Sequence, residues 1–159
     1  MGAKAKTARL VTWRPDLRPH FERLNREWIE RWFIVEEEDR KVFADPGGRI
    51  VEPGGQIFFV VDEAGVRGTC AVIRHGAETF ELAKMAVEPS AQGGGYGDRL
   101  VEAAIGFARG AGARRLMLVS NTRLGPALNL YRKHGFRDVA LDPANGYSRA
   151  DIQLELRIK

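Results

Sequence analysis

The sequence predicts an α/β fold, more closely an α+β arrangement with one mixed sheet of about seven strands and about four flanking helices. Three observations support this. Short apolar stretches bounded by Gly, Pro or Asn are typical of strands. Longer stretches repeat apolar residues at helical spacing. A glycine-rich turn, Gln92–Gly97, connects one such strand to one such helix. The length of 159 residues suits a single domain spanning residues 1–159.

The first half of the chain predicts a strand, two helices and a β-hairpin. Apolar residues repeat at helical spacing from Phe21 to Trp32, and Pro19 suits the first turn of that helix. The turn Asp62–Gly65 connects two strand-like stretches and predicts the hairpin. The predicted elements are strand 10–13, helix 19–33, helix 37–43, strand 56–61 and strand 66–74.

The second half alternates strands and helices around the glycine-rich turn. Leu100, Ala103, Ala104, Phe107 and Ala111 predict one apolar face on the helix that follows this turn. The predicted elements are strand 80–87, helix 96–111, strand 114–119, helix 124–133, strand 136–140 and strand 150–158. This order predicts helices on both faces of a mixed sheet.

The composition excludes several classes of protein. Hydrophobic residues make up 44% of the chain and charged residues 29%, which is ordinary for a globular domain. No apolar stretch approaches the roughly 20 residues of a membrane span. Residues 1–9 have basic side chains but no apolar core, so we expect no signal peptide. The single cysteine, Cys70, cannot form an internal disulfide, which fits a cytoplasmic protein.

The basic charge does not predict a nucleic-acid-binding protein. The net charge is +4, but acidic blocks such as Glu36–Asp39 separate the scattered basic residues. The two basic clusters, Arg114–Arg115 and Arg132–His134, both flank the glycine-rich turn and its helix. A positive field there would attract an anionic small molecule. We expect neither a nucleic-acid nor a membrane partner.

The glycine-rich turn predicts an anion site. A helix start exposes backbone N–H groups without helical acceptors, and the positive end of the helix dipole adds to their attraction for phosphate. A P-loop is excluded, because Gly95 is followed by Tyr96-Gly97-Asp98 instead of Gly-Lys-Ser/Thr. The spacing does not fit a dinucleotide-binding fingerprint either. Taken by itself, the glycine-rich segment could also be a tight strand-to-helix connection that binds no ligand.

Several motifs that follow one another along the chain favour one kind of phosphate-binding protein. Gln92-x-x-Gly95-x-Gly97 resembles the pyrophosphate loop of the GNAT superfamily of N-acetyltransferases. The similarity continues through Ser120-Asn121 and ends at Ala127-x-x-x-Tyr131 followed by Gly135-Phe136. The predicted order of elements is also that of the GNAT acyl-CoA N-acyltransferase fold. The resemblance implies an acetyl-CoA-dependent enzyme that acetylates a primary amine, with a small-molecule acceptor favoured over a protein.

The resemblance also implies how acetyl-CoA is bound. Its pantetheine arm would enter a gap between strands 85–87 and 116–119, where a backbone N–H near Met85 or Ala86 could polarise the thioester carbonyl. GNAT proteins often have Lys or Arg at the position of Gly94, so backbone donors are expected to dominate phosphate binding. The expected cofactor-binding residues are Met85, Ala86, Val87, Gln92, Gly93, Gly94, Gly95, Tyr96, Gly97, Asp98, Asn121, Leu124, Ala127 and Tyr131.

Two residues are expected to carry the chemistry. Tyr131 is the candidate general acid, since a phenol is protonated at neutral pH and can donate to a thiolate; the alternative is a core aromatic residue. Glu81 is the candidate base, acting through an ordered water or by binding the ammonium; the alternative is a solvated strand-end carboxylate. Lys84, adjacent to Met85, is expected to face the other side of the sheet and form a structural ion pair.

The acceptor pocket is predicted from the resemblance. In the GNAT superfamily the first two helices and the last hairpin usually build it, so the expected acceptor-binding residues are Asn25, Trp28, Glu36, Glu81, Tyr147 and Arg149. A carboxylate for the amine and an arginine for a carboxylate would suit an amino-acid-like acceptor. No metal ligands are assigned. A non-catalytic acetyl-CoA sensor stays open as an alternative, and so does a homodimer.

Overall fold

The computed structural model describes residues 8–159 and confirms the predicted α/β architecture. The elements are β1 (Arg9–Thr12), α1 (Arg18–Trp32), α2 (Glu37–Ala44), β2 (Gln56–Asp62), β3 (Gly65–Arg74), β4 (Thr79–Val87), α3 (Tyr96–Gly110), β5 (Arg115–Ser120), α4 (Gly125–Lys133), β6 (Arg137–Val139) and β7 (Ile152–Arg157). The prediction about a signal peptide falls largely on residues 1–7, which lie outside the described residues. Among the residues that are described, no helix has the length and apolarity that a membrane crossing needs.

One seven-stranded sheet has the order β1-β2-β3-β4-β5-β7-β6. The pairs are antiparallel except for β4 and β5, which run parallel at the centre of the sheet. A parallel pair needs a crossover connection, and α3 supplies it. The N-terminus of α3 therefore lies just past the C-terminal end of β4, where ligands of open α/β sheets commonly bind.

Two hydrophobic clusters cover the two faces of the sheet. Helices α3 and α4 bury one face around Leu100, Ala104 and Leu116. Helices α1 and α2 bury the other around Phe21 and Phe43, whose rings meet edge to face with centroids 6.0 Å apart. The predicted apolar face of α3 is correct except at its end: Ala111 is exposed, because the helix stops at Gly110.

The region between α2 and β2 differs from its prediction. The sequence indicated a loop after Asp45, but residues Gly47–Val51 form a π-helical turn that buries Ile50 against the α1 face of the sheet. Glycines and prolines on both sides make this stretch look like an open loop. A single buried isoleucine without periodicity gives no helical signal, so the turn depends on tertiary packing.

Candidate functional site

The central cleft opens where the two parallel strands separate. Their pairing is confined to Thr79, Phe80 and Glu81 on β4, opposite Arg115 to Met117 on β5. Beyond these pairs a cleft of about 540 Å³ lies between residues 85–87 of β4 and Leu118 and Val119 of β5. The predicted gap is therefore present. An unpaired strand edge at its wall offers backbone N–H and C=O groups to an extended ligand.

A β-bulge shapes the wall of this cleft. The register between β3 and β4 shifts next to Lys84, which has a left-handed φ of 54° although it is not glycine. An extra residue in one strand interrupts the alternation of side chains. Lys84 extends toward Asp39 and Phe43 on the α1–α2 face of the sheet, whereas Met85 packs against the cluster under α3 and α4. The two side chains therefore lie on opposite faces, as predicted, and both border the cleft. Bulges cannot be found from period-2 patterns, so the sequence did not predict this one.

The glycine-rich turn forms one end of the cleft. Gly93 and Gly95 adopt φ values of 86° and 85°, a left-handed conformation that glycine takes without steric cost. Gly95 is the N-cap of α3. Within residues 8–159, no backbone carbonyl accepts a hydrogen bond from the amides of residues 93–98. These donors, together with the helix dipole, form the anion site that the sequence predicted.

Two members of the turn have structural roles as well. The Tyr96 ring is buried at 3% exposure in the α3 face, and its hydroxyl donates a 2.6 Å hydrogen bond to Asp62 at the end of β2. This bond lowers the pKa of Asp62 and raises that of Tyr96. A Cβ on Gly97 would lie 3.0 Å from Leu130 of α4, so glycine permits the close approach of the two helices. Both contacts fix the turn relative to the sheet.

Asp98, in the first turn of α3, is bound by two side chains from the end of α4. Lys133 Nζ lies 2.7 Å and His134 Nε2 2.8 Å from its Oδ1. The Lys133 hydrogen bond, followed by that of His134, lowers the pKa of Asp98. The carboxylate therefore adds little negative charge beside the anion site, and it connects α3 to α4.

Tyr131 lies in the middle of the cleft on α4. It is 9% exposed and lines the cleft with Leu124 and Ala127, while its ring packs 6.0 Å from that of Phe136. Burial raises the pKa of Tyr131 above its ordinary value, so the phenol stays protonated across the neutral range. Both sequence interpretations, the proton donor and the packed aromatic residue, are compatible with this position.

Asn121 lines the cleft, but its amide is already engaged. Its Nδ2 donates to the Arg149 carbonyl and its Oδ1 accepts from the Arg123 N–H, each at 2.8 Å. The sequence suggested a hydrogen bond to the cofactor arm. In the structure Asn121 joins the loop after β5 to the loop before β7, and its hydrogen bond to the cofactor arm stays a prediction.

The opposite end of the cleft is lined from three sides. Asn25 and Trp28 come from α1, Glu81 from β4, and Tyr147 and Arg149 from the loop before β7. Asn25 is buried at 1% exposure and its Nδ2 donates to the Phe21 carbonyl of its own helix. The half-buried Trp28 packs against the α1 cluster and also borders the cleft, so it combines a core role with a lining role.

A buried charge cluster supports this end. Asp39 on α2 is fully buried and accepts two hydrogen bonds from Arg149, at 2.7 and 2.8 Å, and one from Lys84. Burial alone would raise the pKa of Asp39, but the Arg149 hydrogen bonds and the Lys84 charge outweigh it and lower it to about 2. Lys84 also donates a 2.9 Å hydrogen bond to the Tyr147 hydroxyl. The structural ion pair predicted for Lys84 is thus formed, on the cleft side.

Glu36 does not belong to the cleft lining. Its carboxylate accepts hydrogen bonds from the backbone N–H groups of Ser148 and Arg149, at 3.1 and 3.3 Å, and it also caps α2. Its predicted acceptor role is replaced by a structural one, because the loop before β7 folds onto the start of α2. Of the predicted cofactor residues, Gly94 also lies outside the lining. The other predicted site residues are brought together around the cleft.

The sequence reasoning missed several residues. Arg31 of α1 and Arg123 after β5 border the cleft, and the Arg123 guanidinium lies 5.3 Å from the centre of the Phe33 ring. His75, in the turn before β4, reaches Glu81 with its Nε2 atom 2.6 Å from Oε1. Of these residues, only His75 could have been found from the sequence. Residues 75 and 81 lie on either side of a short hairpin turn, so their spacing predicts that the two side chains are close together.

The chain is similar in sequence to known proteins. A family model described as an acetyltransferase (GNAT) domain matches residues 53–138, more than half of the chain. The amino-acid acetyltransferase of Neisseria meningitidis is 35% identical over 98 residues, which is 60% of this chain and 22% of that protein. The curated relatives are matched over 22% to 54% of their own lengths.

Solved structures share the fold. An acetyltransferase of the GNAT family from Staphylococcus aureus Mu50 superposes with a TM-score of 0.88 over 96% of this chain and 100% of that chain, at 14% identity. A phosphinothricin acetyltransferase from Sinorhizobium meliloti, solved in complex with acetyl-CoA, superposes with a TM-score of 0.78 over 96% of this chain and 89% of that chain, at 19% identity. Together with the family model, these similarities show that the chain belongs to the GNAT family of acetyltransferases.

Proposed function

We propose that the protein is an acetyl-CoA-dependent N-acetyltransferase that transfers the acetyl group to a primary amine of a small molecule. The observation that carries the proposal is the cleft between β4 and β5. It has free amides at one end, a protonated phenol in the middle and a charged pocket at the other end. One passage through the sheet can therefore hold a phosphorylated thioester and an amine in contact.

The cofactor half fits acetyl-CoA by its chemistry. The diphosphate would bind the amides of residues 93–98, with the dipole of α3 adding to the attraction. The pantetheine arm would lie along residues 85–87, where no strand pairs with β4 on the β5 side within the described residues. The ion pair of Asp98 with Lys133 reduces repulsion of the phosphates.

The chemical step follows from the residues beside that arm. The amine nitrogen attacks the thioester carbonyl carbon directly, and the bond from carbon to sulfur breaks. A backbone N–H at Met85 or Ala86, next to the bulge, would stabilise negative charge on the carbonyl oxygen. Tyr131 donates its phenolic proton to the leaving thiolate. Glu81 binds the acceptor as an ammonium ion and receives its proton.

The acceptor end favours a small amine that also carries an anionic group. Lys84 and Arg149 are paired with Asp39, and Arg149 also lies 3.5 Å from Glu36, so their charges are largely compensated. Arg31 and Arg123 also border the pocket, and among the described residues neither has a carboxylate partner. An amino-acid-like acceptor would place its amine near Glu81 and its carboxylate near these arginines. The similarity to an amino-acid acetyltransferase supports this class.

Tyr131→Phe is expected to lower kcat by about 100-fold or more, the lower range of general acid catalysis. The ring packing against Phe136 is kept, so the acetyl-CoA Kd and the Tm should change little. The measurement is free-thiol release from acetyl-CoA with a panel of L-amino acids, polyamines and aminoglycosides, at several pH values.

Two results would contradict the proposal in different ways. An unchanged kcat for Tyr131→Phe would leave the phenol as a packed aromatic residue and assign the proton donation elsewhere. Micromolar acetyl-CoA binding by the wild type, without thiol release for any amine, would favour the sensor alternative.

A further inference from the structure

The side chains of His75 and Glu81 form a close pair on one face of the β3–β4 hairpin. Ile73 is paired with Glu81 in the register, and His75 follows Ile73 by two residues, so it lies on the same face and diagonal to Glu81. The His75 Nε2 and Glu81 Oε1 atoms are 2.6 Å apart. The turn that presents His75 is closed by its N–H, which donates to the Thr79 carbonyl at 2.9 Å.

This pair connects the cleft to solvent. Glu81 lines the cleft and its side chain is 14% exposed, whereas the His75 side chain is 48% exposed and lies outside the lining. The first residue is thus available to a bound acceptor, and the second is in contact with water. An imidazole is the side chain best suited to pass protons at neutral pH.

We propose that His75 is the outlet of a proton relay, in which Glu81 takes a proton from the acceptor ammonium and His75 passes it to solvent. The inference rests on the proposed function and adds to it the route by which the amine becomes a nucleophile. His75 acts through Glu81, so it is a positioning residue that also carries the proton onward.

Every proton in the proposed reaction has a donor and an acceptor. The ammonium loses one proton to a Glu81 oxygen, directly or through one water, and becomes the free amine. Glu81 passes this proton to neutral His75 at Nε2, and the imidazolium releases a proton to water. The amine attacks the carbonyl carbon, the thiolate leaves with the Tyr131 proton, and the new amide loses its second proton, which restores Tyr131 through solvent. One proton is released for each acetyl group transferred.

The surroundings support a histidine that titrates in the working range. The hydrogen bond with Glu81 raises the pKa of His75, although burial opposes it in part. The other titratable groups that face Glu81 are Lys84 on β4 and Tyr147 before β7, and Lys84 is bound in turn to Asp39 on α2. The residues opposite Glu81 in the sheet, Ile73 and Met117, are uncharged. His75 must be neutral to accept the proton, so activity falls as the pH falls through its raised pKa.

The test is the pH dependence of His75→Gln, assayed by free-thiol release with the fastest acceptor of the amine panel. At about pH 7 we expect kcat/KM to fall by about 10- to 100-fold, since the acceptor arrives as ammonium and the relay is interrupted. Near pH 10, where much of the amine is already deprotonated in solution, the deficit should shrink to about 2-fold or less. The acetyl-CoA Kd should be unchanged.

Two controls separate a relay from a loss of structure. His20→Gln makes the same substitution on α1, where His20 contacts Arg23 outside the cleft, and should leave the rate unchanged at every pH. In a Glu81→Gln background, His75→Gln should add little further loss, because residues that act in series are not additive. A deficit for His75→Gln that is the same at pH 7 and pH 10 would overturn the relay.

A second measurement is independent of turnover. The His75 ring, followed by NMR titration, should show a raised pKa in the wild type and a pKa closer to the ordinary value in Glu81→Gln. If the pKa of His75 were the same in both proteins, the hydrogen bond between His75 and Glu81 would be disproved. If the wild type releases no thiol with any amine, the proposed function fails and the relay fails with it. If it does release thiol but the His75→Gln deficit is uniform with pH, only the relay fails.

Discussion

Replacing Gly95 with glutamate is expected to weaken acetyl-CoA binding by about 100-fold or more, measured by isothermal titration calorimetry. Gly95 is the N-cap of α3 and has a φ of 85°, so any side chain there adds strain of about 1–2 kcal/mol. A carboxylate beside the free amides also repels a diphosphate. At about 4 Å and an effective dielectric constant near 20, two like charges repel by about 4 kcal/mol.

Two matched variants show how much of the lost affinity is due to the charge and how much to the backbone strain at Gly95. They also show whether a carboxylate elsewhere on α3 has the same effect. Gly95→Gln has the same size and the same backbone strain without the charge, so its loss of affinity should be clearly smaller. Gly106→Glu adds the same charge to the exposed face of α3, where a Cβ meets open space and φ is ordinary for a helix. Its affinity should match that of the wild type. Equal affinities for Gly95→Glu and Gly106→Glu would show that the turn does not bind the phosphates.

Replacing Asp39 with asparagine is expected to lower the free energy of unfolding by about 3 kcal/mol, because it leaves the buried Lys84 without a carboxylate and Arg149 with only its 3.5 Å contact to Glu36. Asp39 is fully buried between Lys84 and Arg149, and its carboxylate also accepts the Glu36 N–H. At about 2–4 °C per kcal/mol for a chain of this size, Tm should fall by about 6–12 °C. Denaturant unfolding and calorimetry measure both quantities.

The pH dependence of this loss gives the control. The folded-state pKa of Asp39 is lowered to about 2. Its stabilisation is therefore present above the unfolded value near 3.8 and disappears as the pH falls toward 2, a change of about 2 kcal/mol. The stability of Asp39→Asn should change less over this range.

Asp138→Asn, which removes an exposed pair with Arg132, should cost less than about 1 kcal/mol. Similar losses for both variants would mean that the buried cluster contributes no more than a surface pair.

Most of the fold was predictable because its signals are local. Apolar repeats gave the helices, strand-like runs gave all seven strands, and the glycine-rich turn marked the crossover at α3. The π-helical turn at Gly47–Val51 and the bulge at Lys84 were not predictable. Both depend on packing against distant elements, and neither has a periodic pattern of its own.

One half of the candidate site was predictable from the sequence and the other half was not. The cofactor half was predictable since its residues lie close together in sequence, from Met85 to Asp98, and its donors are backbone groups. The acceptor half is assembled from α1, β4 and the loop before β7, which are far apart in the chain. The sequence showed that Glu36 and Arg149 were available charges. It could not show that Glu36 binds a backbone loop, or that Asp39 engages Arg149.

We infer that the gap between β4 and β5 is the passage in which acetyl-CoA meets the amine. A crystal structure of the protein with coenzyme A tests it most directly. We expect the diphosphate on the amides of residues 93–98, the pantetheine arm along residues 85–87, and the sulfur next to the Tyr131 hydroxyl. Coenzyme A bound elsewhere, or β4 and β5 paired across the gap with the ligand outside, would contradict it.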